Sequence, residues 1–215
     1  IIGVVTKTGV GLKMGTALID LAGGLLLPAM FFTMITSLLL GMGVPTTANY
    51  VITSTIAAPA LVQLGVPVLA AHMFAFYFGI IADVTPPVAL AAYAGAGISG
   101  GNPMKTGVIV AKLSIAAFII PYVFVYNPQL LLINTTFAGM AFATLTAIVG
   151  MVGISVSMIG YGIRPTNKVQ RILFLVSGLL LIDPGLMTDA AGAILLVALF
   201  GWQKMQNKND AAKQA

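Results

Sequence analysis

Residues Gly79–Gly97 read GIIADVTPPVALAAYAGAG. The run is almost wholly apolar, yet its middle holds Asp83, Thr85 and the consecutive prolines Pro86 and Pro87. Each proline removes a backbone N–H and disfavours the helical region for the residue before it. A helix entering from Val68–Ala82 therefore breaks near Asp83 and resumes over Val88–Ile98, and the break frees carbonyls near Gly79–Asp83. A carboxylate at membrane depth is costly unless it meets water, a cation or a partner, so Asp83 is a functional candidate by default. Two plainer readings stay open: a position near the membrane surface, and an ion pair with a lysine such as Lys112.

The surroundings make the solvent lipid. Of 215 residues, 59 % are hydrophobic and 7 % charged, and mean hydropathy is +1.06. Soluble domains carry about 25 % charged residues, so the fold class is an all-α integral membrane protein, a polytopic helical bundle. The absence of cysteine excludes disulfide frameworks, zinc ribbons and thiol catalysis. The net charge of +5 is spread between apolar runs, which fits membrane topology and not nucleic acid. Ile1–Val10 has no basic n-region and no small-residue cleavage site, so it does not read as a signal peptide. The start at Ile1 gives the expectation of a fragment.

A second interruption lies upstream. GMGVPTTANY (Gly41–Tyr50) separates two runs, Gly24–Leu40 and Ala48–Leu64. Gly41 and Gly43 admit backbone conformations that other residues resist, and Pro45 cannot continue a helix. Thr46 or Thr47 is the natural N-cap of a helix at Ala48, and Asn49 can turn its amide to the tip. Carbonyls that end one helix can bind a cation, and N–H groups that start the next can bind an anion. The plain alternative is an ordinary turn between two helices. Two Gly/Pro interruptions at membrane depth are the best sequence pointer to a transporter site, because irregular backbone survives there only under protein or beside water.

Small residues recur at Ala71, Ala75 and Gly79, a face that lets another helix come close and whose spacing turns Asp83 into the bundle. His72 reads as an interfacial hydrogen-bonding residue. Val108–Val125 and Thr136–Ile159 are further spans, and Ile172–Ile182 with Ala190–Trp202 reads as a hairpin with Asp189 as an N-cap. The tail from Gln203 is expected to fray. On this topology Lys105, Lys112, Arg164, Lys168, Arg171, Lys204, Lys208 and Lys213 share one face, which the positive-inside rule makes cytoplasmic. Asp183 and Asp189 lack the Gly-x-Gly-Asp and Tyr-Asp pairs of an intramembrane aspartyl protease, and no Walker loop is present, so no enzyme activity is expected.

The stretch from Leu39 to Gly107, which contains GMGVPTTANY and ADVTPPV, resembles the large permease subunit of the TRAP transporters, most closely the fused permeases of the TAXI branch. The resemblance runs through YNPQLLL to about Leu132 and back toward Ile1. It implies secondary uptake of small organic acids, driven by sodium or else by protons, with no cofactor. It also implies a periplasmic substrate-binding protein as partner, a small permease domain, and a bacterial inner-membrane location. The implied architecture is an elevator of two inverted repeats, each with a re-entrant hairpin and a broken helix. Residues 1–132 would be the C-terminal repeat, 133–203 additional transmembrane helices and 204–215 a polar cytoplasmic tail; the N-terminal repeat would be missing.

By resemblance, Gly24–Leu64 is the re-entrant hairpin and Asp83–Pro87 the helix break. The implied site comprises Gly41, Gly43, Pro45, Thr46, Thr47, Asn49, Gly79, Asp83, Thr85, Pro86 and Pro87, with Gly41, Thr47, Asp83 and Thr85 as sodium ligands and the helix starts at Thr46 and Val88 facing a substrate carboxylate. Many relatives carry an uncharged residue where Asp83 stands, which leaves cation ligand, proton carrier and wet bystander all open for it. The rival reading from another class is a non-transporting membrane scaffold, in which the small-residue faces serve packing alone.

Overall fold

A computed structural model describes residues 7–86 and 88–214. Among them the fold is helical, without a strand, apart from one isolated bridge between Tyr161 and Pro165. The chain divides between Leu131 and Leu132 into two compact units.

The first unit is built around one helix. In chain order it runs α1 (Val10–Leu21), α2 (Leu26–Gly41), α3 (Thr46–Ile56), α4 (Ala58–Gln63), α5 (Val68–Ile81), a 3-10 turn (Ala82–Val84), α6 (Leu90–Ser99), α7 (Pro103–Leu113), α8 (Ile115–Tyr126) and a 3-10 turn (Pro128–Leu131). Helices α2, α3, α4 and α8 all pack on α5. The core at this centre is aromatic: Phe74 meets Phe78 and Tyr122 edge-on at ring distances of 4.8 and 5.1 Å. Tyr122 donates from its hydroxyl to Met34 Sδ at 3.4 Å, which gives a half-buried polar tip a partner.

Several boundaries differ from those read off the sequence. Pro45, not Thr46 or Thr47, is the N-cap of α3, with no side-chain cap bond, and the helix starts at Thr46. The fixed proline φ already sets the entry angle. Ala48–Leu64 is two helices rather than one, because Pro59 at the start of α4 lacks the N–H that would carry the helix past Ala57. After the break, α6 begins at Leu90 and not at Val88, with Ala89 in the left-handed region at φ 37°. Pro87 lies outside the described residues.

The second unit comprises α9 (Phe137–Ile159), α10 (Lys168–Ile182) and α11 (Leu186–Gln214). Thr136 caps α9 by accepting from Gly139 N at 3.2 Å. Asn167 and Gln170 form a reciprocal capping box on α10. Helices α9 and α10 cross where Gly150 faces Gly178: a Cβ built on Gly178 would lie 2.5 Å from Gly150 O. Helix α11 folds back on α10, tied by Ser177 Oγ donating to Gly192 O at 2.9 Å. Asp189 is not an N-cap: α11 starts at Leu186, straight after the Pro-Gly turn, and Asp189 N already donates to Gly185 O at 2.8 Å. The tail does not fray at Gln203 but continues α11 to Gln214, since no glycine or proline interrupts it after Gly201 and its Ala, Lys and Gln residues favour helix.

The guanidinium of Arg171 closes the C-terminus of α9. Its Nε donates to Ser157 O at 2.6 Å and its Nη2 to Met158 O at 2.9 Å. It satisfies end carbonyls and sets a cation at the negative end of the helix. Arg171→Gln is expected to cost about 1 kcal/mol, read as a lower thermal unfolding midpoint for this unit. An unchanged midpoint would remove the cap from the list of its supports.

Among the described residues, three segments are long and apolar enough to cross a membrane: Pro103–Tyr126, Phe137–Ile159 and Leu186–Asn207. The outward side chains of α9, among them Phe142, Leu145, Ile148 and Val152, are large, apolar and exposed, as a lipid-facing surface requires. Helix α2 has 16 residues, about 24 Å at roughly 1.5 Å each. That falls short of a hydrocarbon core of about 30 Å.

Candidate functional site

The two interruptions in the sequence meet in space. Helix α2 ends at Gly41 and α5 ends at Ile81, and the two helices pack on each other. Gly41 and Gly79 mark the closest approach: a Cβ on Gly41 would lie 2.6 Å from Gly79 O and 2.9 Å from Ala82 Cβ. Into this notch comes the side chain of Asn49, from the first turn of α3. Its Nδ2 lies 2.6 Å from where a Cβ of Gly79 would stand and 2.9 Å from that of Gly41. The small-residue face Ala71, Ala75 and Gly79 is thus used as its spacing predicts, and all three are buried.

Asn49 is 2 % exposed, and its Oδ1 has no hydrogen-bond partner among the described residues. A buried acceptor left unpaired costs about 1–3 kcal/mol. Two helix C-termini, the negative ends of their dipoles, converge beside it. The local field and the free oxygen both suit a cation.

The remaining predicted residues lie around this notch. Gly43 holds a positive φ of 69°, which suits the turn between α2 and α3. Pro45, Thr46 and Thr47 are exposed on the tip. Asp83 is half-buried in the 3-10 turn, and among the described residues the alternative ion pair with Lys112 is not formed. Thr85 is half-buried and its Oγ1 donates to Ala82 O at 3.3 Å. Pro86 is half-buried beside Gly107, whose Cβ would lie 3.4 Å from Pro86 Cγ. The structure therefore joins Gly41, Asn49 and Gly79 directly, with Thr85 linked to them through Ala82. No hydrogen bond unites Thr47 with Asp83 or Thr85 among the described residues.

Two features were missed in the sequence. Thr33 and Ser37 on α2 are fully buried with unpartnered hydroxyls; their four-residue spacing to Gly41 was the available signal. Ala89 sits in a left-handed conformation that costs a non-glycine residue about 1–2 kcal/mol, with its side chain buried. Tyr50 Oη and His72 Nδ1 share a hydrogen bond of 3.0 Å that ties α3 to α5, the interfacial role read for His72. A separate apolar cleft of about 360 Å³ in the second unit, lined by Phe142, Leu145, Leu181 and Asp189 among others, lacks such converging polar groups.

Comparison with known families assigns the first unit. Residues 1–140 match the family described as tripartite ATP-independent periplasmic transporter, DctM component. The chain belongs to the DctM family. It is a transporter permease of the TRAP type, and the notch at Gly41, Asn49 and Gly79 lies within the DctM match. Residues 107–204 match a second description, FxsA cytoplasmic membrane protein, which overlaps the DctM match and carries on through the helices of the second unit. No curated protein and no solved structure gives a significant match to the chain.

Proposed function

We propose that this DctM-type chain works in the bacterial inner membrane as the permease of a binding-protein-dependent secondary transporter, importing small organic acids with sodium. The observation that carries this reading is Asn49: a buried, unpaired amide oxygen wedged between two glycines where two helix C-termini converge. That is the chemistry of a desolvated cation seat built by broken helices. Gly41, Thr47, Asp83 and Thr85 complete the sodium ligands. The free N–H groups at the start of α3, at Thr46, face the substrate carboxylate.

Helices α2 and α3 are the arms of a re-entrant hairpin, each too short to cross alone, and α5 and α6 are the halves of the broken helix. A periplasmic substrate-binding protein delivers the solute, and a small permease domain and a second repeat complete the elevator. The fused TAXI branch is the arrangement we favour. The name of the second matched family, a cytoplasmic membrane protein, supports the same membrane.

Uptake by the complete transporter in proteoliposomes tests this. Asp83→Asn and Thr47→Ala are each expected to raise the sodium concentration for half-maximal uptake about tenfold, the effect of losing about 1.4 kcal/mol of binding. Normal uptake with unchanged sodium dependence in both variants would sink the assignment of these ligands. Uptake that follows a pH gradient without sodium would replace sodium by protons.

A further inference from the structure

We infer that the apolar cleft of the second unit is a phospholipid site: an acyl chain lies along its walls, and Asp189 near its mouth holds a primary-ammonium headgroup. It does not involve the notch of the first unit.

The cleft follows from how three helices are laid side by side. Helices α9 and α11 both pack on α10 and scarcely touch each other. Gly150 and Ser157 of α9 meet Gly178 and Arg171 of α10, while Gly192 and Gln206 of α11 meet Ser177 and Gln170. Both outer helices thus run antiparallel to α10 and parallel to each other. Between them lies the cleft of about 360 Å³, walled by Phe142 and Val149 of α9 and by Leu186, Asp189 and Ala193 of α11, over Leu181 of α10. Seven residues of helix on each wall give it a length of about 10 Å.

The surroundings select the occupant. Both walls belong to segments long and apolar enough to cross a membrane, and Phe142, Leu145 and Leu186 at the rim are exposed. The medium that reaches an open cleft there is lipid, whose chains are as apolar as leucine. The volume lies within the range of about 300–1,000 Å³ usual for ligand sites.

One group in the cleft does not suit a hydrocarbon chain alone. Asp189 is half-buried, and its carboxylate makes no hydrogen bond or ion pair among the described residues. Asp183, in the turn before α11, adds a second negative charge and not a partner. A carboxylate within a spanning segment calls for a cation opposite it. The bases of this unit stand at its other end: Arg171 on the last carbonyls of α9, Arg164 in the loop that follows, Lys168 at the start of α10, and Lys204 beside Gln203, which bonds to Ile163 N. A lipid ammonium brings chain and cation in one molecule. A primary ammonium offers charge-assisted N–H donors to the carboxylate. A quaternary choline head has no N–H and is held by aromatic cages, whereas among the described walls Phe142 alone is aromatic. An anionic head is repelled by both aspartates. The positive-inside rule makes the basic end cytoplasmic, so the mouth opens to the other leaflet.

Native mass spectrometry of the complete transporter tests this, with phosphatidylethanolamine, phosphatidylcholine or phosphatidylglycerol titrated into the detergent micelles. Wild type is expected to hold phosphatidylethanolamine about tenfold more tightly than the other two. Asp189→Asn, equal in size, should weaken that lipid about tenfold and abolish the preference. Ala190→Phe, at an exposed position that lines the cleft, should fill it and remove the lipid with Asp189 still in place. Ile148→Ala, exposed on α9 outside the cleft lining, should bind as wild type does. Equal retention of the three lipids by wild type would overturn the site, and so would a preference that survives both Asp189→Asn and Ala190→Phe. A wild type that retains none of them would show the cleft covered by another protein segment, which overturns it too.

Discussion

Gly41→Ala is expected to weaken sodium binding by about 5- to 150-fold. The added methyl would meet a backbone carbonyl, Gly79 O, at 2.6 Å, with Ala82 Cβ and Asn49 Nδ2 both at 2.9 Å. None of these is the loose end of a long side chain, so relief requires α2 to move off α5. Overpacking of this kind costs about 1–3 kcal/mol. If the whole strain falls on the closed, cation-bound arrangement, the same energy appears as that loss of affinity. The measurement is sodium-dependent uptake by the complete transporter, with unfolding midpoints in sodium and choline as a second reading. Gly41→Ala protein with wild-type sodium dependence would show that the notch is not part of the site.

The second large effect lies in the other unit. Gly178→Ala is expected to force α9 and α10 apart, because its Cβ would lie 2.5 Å from Gly150 O and 2.6 Å from Ile154 Cγ1. Helices in lipid gain little from the hydrophobic effect between themselves and associate through close packing of small residues. A separation of even part of an ångström loses that contact along the seam around Phe174 and Leu181. The expected cost is about 1–3 kcal/mol, seen as a lower unfolding midpoint. Ser177→Ala loses only one hydrogen bond to Gly192 and should cost about 1 kcal/mol. If Gly178→Ala were the milder of the two, glycine packing would not be what holds α9 to α10.

Much of the helical layout was legible because glycine and proline act on the backbone locally. The turn at Gly41–Pro45 and the break at Asp83–Pro86 are written in residues whose allowed φ and lost N–H groups do not depend on context. The four-residue recurrence of Ala71, Ala75 and Gly79 likewise announced a close helix neighbour. What failed was masked by uniform hydrophobicity. The split of Ala48–Leu64 at Ala57 sits inside an apolar run with no polar residue at that point to mark it. Pro45 displaced the threonines as cap because tip geometry, not hydroxyl chemistry, sets the start of α3. Thr33 and Ser37 passed unnoticed since a hydroxyl in a greasy helix usually satisfies itself. Only the fold reveals that these two do not. Asn49 was read as turning to the tip, but its wedging between two helices depends on Gly41 and Gly79, which lie far apart in sequence, beyond any local pattern.

The notch also constrains the order in which this protein can change. Positions 41, 49 and 79 share one small volume, so they do not drift independently. Alanine at 79 would push the Asn49 side chain aside while asparagine occupies 49. If 49 shortens first, the same alanine becomes welcome filler for the hole left behind. A lineage leaving the present combination therefore meets less resistance by passing through a looser intermediate before a tighter one than by the reverse sequence of steps.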